Sequence, residues 1–184
     1  MSEKLSAEDY LQHLKNKTIL EVLDTKTAKP GDVFFIDTGT IHAIGAGIVI
    51  AEIQQTSDIT YRVYDFDRVD VNGNLRDLHV DLALEAINYN PVQAQKQYNK
   101  VANVSNEIVN CQYFTTNIIP LNHSITVHKN QESFTVYMCV DGDFQIVFMG
   151  ETFNYKKGDT VLLPAFLTDF QLIGNASILE IYIS

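Results

Sequence analysis

Residues 30–68 read PGDVFFIDTGTIHAIGAGIVIAEIQQTSDITYRVYDFDR, and the fold turns on how this stretch divides. Pro30-Gly31-Asp32 is turn chemistry: proline presets φ and glycine permits the tight reversal before a strand. Val33 to Ile36 is an apolar run short enough for a buried strand. Gly39 interrupts the chain ahead of Ile41-His42-Ala43-Ile44, where a lone imidazole sits among apolar residues on an expected inward-facing strand. Gly45 and Gly47 mark a second turn. Ile48 to Ile53 then reads as a returning strand with one carboxylate, Glu52, among aliphatic neighbours. A dense polar run follows, with Asp58, Tyr61, Arg62, Tyr64, Asp65, Asp67 and Arg68 set between β-branched residues.

Gly-Asp, a short strand, Gly and then His is the order of the second half of a cupin motif, with His42 in the metal-ligand place. Neutral imidazole nitrogen is a common ligand for zinc and for non-haem iron. The same residues also admit a core histidine satisfied by one hydrogen bond.

The longer string GTIHAIGAGIVIAEIQQTSDITYRVYDFDR (39–68) closely resembles the signature region of type I mannose-6-phosphate isomerases, zinc-dependent enzymes built from cupin barrels. The likeness runs from Pro30 to about Ile87. It implies an all-β, cupin-type jelly roll and interconversion of mannose 6-phosphate and fructose 6-phosphate through a zinc-assisted enediol. By the resemblance His42 corresponds to the C-terminal zinc-ligand histidine and Arg62 to the active-site arginine. Glu52 and Asp58 correspond to acidic positions of the sugar-phosphate pocket. Asp37 departs from the proline usual at that place in the turn. The cofactor implied is one Zn2+ per complete catalytic domain, and the partner is a small sugar phosphate.

Such a reaction needs a base near the carbon acid and an electrophile for the developing oxyanion. Arg62, always charged, suits the phosphate or the enediolate. Glu52 or Asp58 could serve as base. Glu52 could equally orient His42, and Asp58 with Arg62, four residues on, could be an ion pair. In the family the remaining zinc ligands, a Gln-x-His pair and a glutamate, lie upstream, and this sequence contains no Gln-x-His. The expectation is therefore half of a catalytic cupin followed by a complete C-terminal cupin, weak or inactive by itself. It would self-associate through open strand edges or require an N-terminal half. The alternative is a non-catalytic cupin acting as a sugar-binding, structural or regulatory subunit.

With 184 residues, the chain has ample core for one large domain or two small ones. A net charge of -10 argues against nucleic acid and anionic membranes as partners. An anionic substrate would need local cations such as Arg62 and Arg68. Cys111 and Cys139, both placed in expected strands, are too few for a disulfide framework and read as small buried hydrophobes. No signal peptide or long apolar span is visible, which points to a cytoplasmic protein.

In chain order, residues 1–28 read as two short helices. Ser6 with Asp9 and Thr18 with Glu21 form the capping-box patterns, and Tyr10, Leu11 and Leu14 an apolar face. Asn72-Gly73-Asn74 is a turn, and 80–89 has helical periodicity. His79, just before it, reads as a cap or surface hydrogen-bonding residue. Residues 1–90 form the catalytic half with its helical insertion, and 91–107, polar and weakly periodic, the linker. From 108 to 184 short strands and frequent turn signals indicate a barrel, with Asp141-Gly142 expected as a hairpin turn. Gly31-Asp32 recurs as Gly158-Asp159, and Glu52 as Glu180 at a comparable distance, so the chain reads as two cupin units. The second lacks a histidine at the position of His42, which holds Asp169. His128, Glu132 and Asp169 could only imitate a ligand set, and a structural barrel is the reading preferred there.

Overall fold

The computed structural model describes residues 1–57, 59–130 and 132–183. The chain is mostly β and divides into two compact units. Met1–Ile50 and Thr56–Gln95 make the first; Ala51–Gln55 and Lys96–Ser184 make the second.

In the first unit, helix α1 (Ala7–Lys15) starts where the sequence places it. Ser6 Oγ accepts from the Asp9 N–H at 3.1 Å, and the Asp9 carboxylate accepts from the Ser6 N–H at 3.2 Å, a complete capping box. The expected second helix shrinks to a single 3-10 turn, Ile19–Glu21, with no side-chain cap. Thr18 Oγ1 instead pairs with His13 Nδ1 at 2.9 Å, so the residue read as a cap is spent on α1. Helix α2 (Val80–Ala86) ends earlier than the periodicity suggests, because Ile87 is already extended. Tyr10, Ile19 and Val22 form a small buried core against which Ile41, Val63, Leu84 and Tyr89 pack.

The largest departure from expectation lies between these helices. Among the described residues there only Val33–Phe34 (β1) is a strand; 41–44 and 48–53 are not. Among the described residues no strand pairs with 41–62. An extended segment without a ladder partner stays hydrated along its backbone, and the apolar residues intended for a core stay in water. Val49 is 96% exposed and Ile59 67%. His42 is exposed rather than inward-facing.

Past the two-residue β2 (Gln95–Lys96), the second unit holds one six-stranded antiparallel sheet that does not include β2. Its strands are β3 (Asn106–Asn110), β4 (Thr115–His128), β5 (Thr135–Phe148), β6 (Glu151–Lys156), β7 (Thr160–Leu163) and β8 (Asp169–Tyr182). The order is β3-β4-β8-β5, after which β7 pairs the first part of β5 and β6 the second. Alternate residues of the long strands, including Ile119, Tyr137, Phe144, Leu172 and Ile178, meet in one core. Residues 91–107, read as a linker, contain β2 and the first two residues of β3.

Asp141-Gly142 is not a hairpin turn. β5 runs through it with a register shift between Cys139 and Asp141, a bulge that bends the strand. Gly142 has φ +74°, and a Cβ there would stand 2.1 Å from the Asn175 carbonyl oxygen, so close approach to β8 demands glycine. Cys139 is buried in the core, whereas Cys111 lies just beyond β3 and is only half-buried.

The Gly-Asp repeat is a repeat of structure. Asp32 accepts from the Lys29 N–H at 2.9 Å, and Asp159 from the Lys156 N–H at 2.9 Å. Their own amides return bonds to the Lys29 and Lys156 carbonyls at 3.0 and 2.9 Å. Each unit thus opens a strand with the same closed turn.

Candidate functional site

His42 stands on a turn fixed from two sides. The Thr40 N–H donates to the Asp37 carbonyl at 3.1 Å, so the turn closes without the proline. Gly39, at φ +83°, accepts from the Asn88 N–H at 2.9 Å just beyond α2. A Cβ at Gly39 would meet the Ala86 carbonyl oxygen at 2.2 Å, which is why glycine is required. His42 Nδ1 lies 2.9 Å from the Thr40 carbonyl oxygen. A carbonyl can only accept, so Nδ1 carries the proton and Nε2 keeps its lone pair. A backbone carbonyl fixing the far nitrogen is the arrangement that suits imidazole for metal ligation.

Arg62 is half-buried and held by the segment before α2. Its N–H donates to His79 Nδ1 at 3.1 Å, and its guanidinium donates to the Asp77 carbonyl at 3.1 Å. The His79 N–H returns a bond to the Arg62 carbonyl at 2.8 Å. His79 is therefore a strap for Arg62, and its Nδ1 is occupied. Ile41 and Val63, the neighbours of His42 and Arg62, both pack on the Tyr10–Ile19–Val22 core. The structure thus fixes His42 and Arg62 to one core within the first unit. Glu52 is exposed and belongs to the second unit. Asp58 lies outside the described residues.

Sequence reading missed Asp65. It is 6% exposed, accepts two bonds from Arg76, and accepts from Arg68 Nη2 at 2.6 Å. The Arg76 hydrogen bonds, and after them Arg68, hold its carboxyl down to about 2. The alternation of charge in the polar run was visible, but its pairing with Arg76, eleven residues on, was not.

In the second unit His128 Nδ1 lies 2.6 Å from the Asp169 carboxylate, which keeps the Asp169 carboxyl below its ordinary range. Glu132 bonds instead with Asn130. Among the described residues no group of three or more His, Cys, Asp or Glu is placed to hold a metal. His42 has the right tautomer for zinc, but a single imidazole does not make a zinc site, so the residues present do not fit the ion by themselves.

Residues 105–183 match the family model of the mannose-6-phosphate isomerase cupin domain. The chain is 36% identical over 159 residues to mannose-6-phosphate isomerase ManA of Bacillus subtilis (strain 168), covering 85% of this chain and 50% of that protein. It is 35% identical over 161 residues to mannose-6-phosphate isomerase of Streptococcus mutans, covering 82% of this chain and 48% of the relative. The crystal structure of the mannose 6-phosphate isomerase from Bacillus subtilis superposes with a TM-score of 0.60 at 30% identity. That superposition covers 68% of this chain and 40% of the other. The chain spans about half the length of the curated relatives it matches.

Proposed function

We propose, from a chain whose residues 105–183 match the mannose-6-phosphate isomerase cupin domain, a protein that contributes part of such an isomerase's site, with His42 and Arg62 as its fixed members. The observation that carries this reading is the shared support of the two residues. Ile41 and Val63 pack on one core, the Nδ1–H···O=C bond to Thr40 leaves His42 Nε2 open, and His79 straps Arg62.

In this reading Arg62 binds the phosphate or the enediolate oxygen with a charge that needs no proton transfer. Glu52 or Asp58 moves the proton between the adjacent carbons. His42 Nε2 would be one ligand to a zinc ion, and the described residues of this chain do not supply the others. The segment 41–62, which no strand pairs among the described residues, takes its ladder partners from strands of the part of such an enzyme that this chain does not span, or from a second copy. Backbone pairing of an extended segment with another sheet edge is a common mode of association.

The unpaired segment and the single metal ligand also support a second reading, a non-catalytic cupin that binds a sugar or serves as a subunit. Turnover of mannose 6-phosphate with excess zinc, together with bound zinc at neutral pH, separates the two. Isomerase activity that is lost in both His42→Ala and Arg62→Ala supports the first. Zinc-free protein without turnover, alone or with the other half of an isomerase supplied, rejects it.

A further inference from the structure

Inside the second unit the inward side chains of β4, β8 and β5 stack in rungs, because residues directly opposite share a face. Ile119, Ile178 and Cys139 form one apolar rung. The next rung toward the strand ends is Asn117, Glu180 and Tyr137. It turns polar where an apolar rung would have closed the core at no cost in buried hydrogen-bonding groups. Tyr137 donates its hydroxyl to Glu180 Oε1 at 3.1 Å, and Asn117 Nδ2 donates to Oε2 at 3.1 Å. Ser105 Oγ donates to the same Oε2, and Asn117 Nδ2 also donates to Ser105 Oγ at 2.9 Å.

The network holds one unanswered acceptor and reaches a cavity through Ser105 alone. Asn117 is 8% exposed, yet its Oδ1 is buried without a hydrogen-bond partner, and an unanswered buried acceptor is costly and rare in a purely structural network. Ser105 also lines a cavity of about 530 Å3 with Gln97, Tyr98, Asn99, Asn106 and Glu107, within the range of roughly 300–1,000 Å3 typical of small-molecule sites. Glu107 sits opposite Asn117 in the β3–β4 register. Asn106 fixes the loop that presents Ser105, donating to the Val101 and Val104 carbonyls at 3.0 and 2.7 Å.

The geometry points to a binding site for a neutral, hydroxyl-rich molecule of monosaccharide class in this cavity, with Glu107 gripping it at the rim and Ser105 linking it to Glu180. Carboxylate and amide groups accept and donate to neighbouring hydroxyls. The Glu107 carboxylate on the cavity wall disfavours a phosphate ester. The Glu180 charge already receives three donors, so no cation is demanded. The site lies wholly in the second unit and does not depend on His42 or Arg62. The internal repeat gains a meaning here, since Glu180 follows its Gly-Asp turn much as Glu52 follows the first.

Saturation-transfer NMR on the full chain tests this with free mannose and with mannose 6-phosphate. Free mannose should bind, and binding should weaken on the order of tenfold in Glu180→Gln, which loses a charged acceptor. It should also weaken in Ser105→Ala and in Glu107→Gln, the latter at an exposed position that leaves folding intact. His42→Ala should bind mannose unchanged. No transfer from millimolar mannose, or equal transfer in Glu107→Gln and Ser105→Ala, overturns the assignment. So does a signal that disappears in His42→Ala or that favours the phosphate ester through Glu107.

Discussion

Asp65 concentrates the electrostatics of the first unit in one carboxylate. Its carboxyl is held down to about 2, chiefly by Arg76 and then by Arg68, against an ordinary 3.8. A depressed carboxyl contributes stability that is fully present above its unfolded value and is lost as pH falls through the folded one. The first unit should therefore lose stability between about pH 4 and pH 2, and Asp65→Asn should flatten that slope while lowering stability at pH 7. Thermal melts across this range provide the measurement; an unchanged slope in Asp65→Asn would show that other carboxylates govern acid unfolding. Gly39 makes a different demand, on backbone shape. Gly39→Ala must force a side chain into a left-handed position against the Ala86 carbonyl, costing about 1–3 kcal/mol and displacing the turn under His42. Urea denaturation checks the cost. Equal stability of wild type and Gly39→Ala would mean that the turn yields easily. Of these residues, His42 and Arg62 are singled out in the sequence by a family resemblance, as a proposed ligand and a proposed anion-binding group. Asp65 and the His79 strap were not, because their partners lie eleven and seventeen residues away and no local pattern announces them.

At the scale of elements, legibility followed whether the signal was complete within a few residues. The Ser6–Asp9 box predicts the start of α1 because donor and acceptor are both local. The Asp70 carboxylate takes the Asn72 and Asn74 amides at 2.8 and 2.9 Å, so the Asn-Gly-Asn turn closes by itself. Asp141-Gly142 misled because the same dipeptide serves a hairpin or a bulge, and the choice belongs to β8. β5 and β8 stay paired on both sides of the bend, with Gly142 opposite Ala176 and Gly174 opposite Phe144. Both glycines admit the other strand's backbone where a Cβ would collide with it. Gly142→Ala should consequently destabilise the second unit by more than the fraction of a kcal/mol usual for Gly→Ala at an unstrained site, visible as a lowered Tm of the β-sheet signal. A variant as stable as wild type would mean that β5 and β8 can part at the bulge without loss. The strands expected at 41–44 and 48–53 failed for a related reason. β-branched composition makes a segment suited to a sheet, but only a facing strand makes it one.

For the whole molecule those unpaired residues predict association. Ile44, Ile48, Val49, Ile50 and Ile59 are all exposed, and they fall within the stretch 41–62 that no strand pairs among the described residues. Apolar side chains beside an open backbone edge are the features that native proteins ordinarily cover, because each recruits another chain. The same exposure predicts that lysine at Val49 costs the fold little, within about 0.5 kcal/mol, since a 96% exposed side chain has almost no contacts to lose. Sedimentation of the purified chain should then give a mass that rises with concentration, and Val49→Lys should shift the distribution toward the monomer without changing Tm. Pairing through the 41–62 backbone has a further signature: its amide protons should exchange slowly in the associated form and rapidly in dilute protein. A monomer at every concentration, or association insensitive to Val49→Lys with fast exchange throughout 41–62, would place the contacts elsewhere. The isomerase reading would then lose the route by which His42 acquires neighbours.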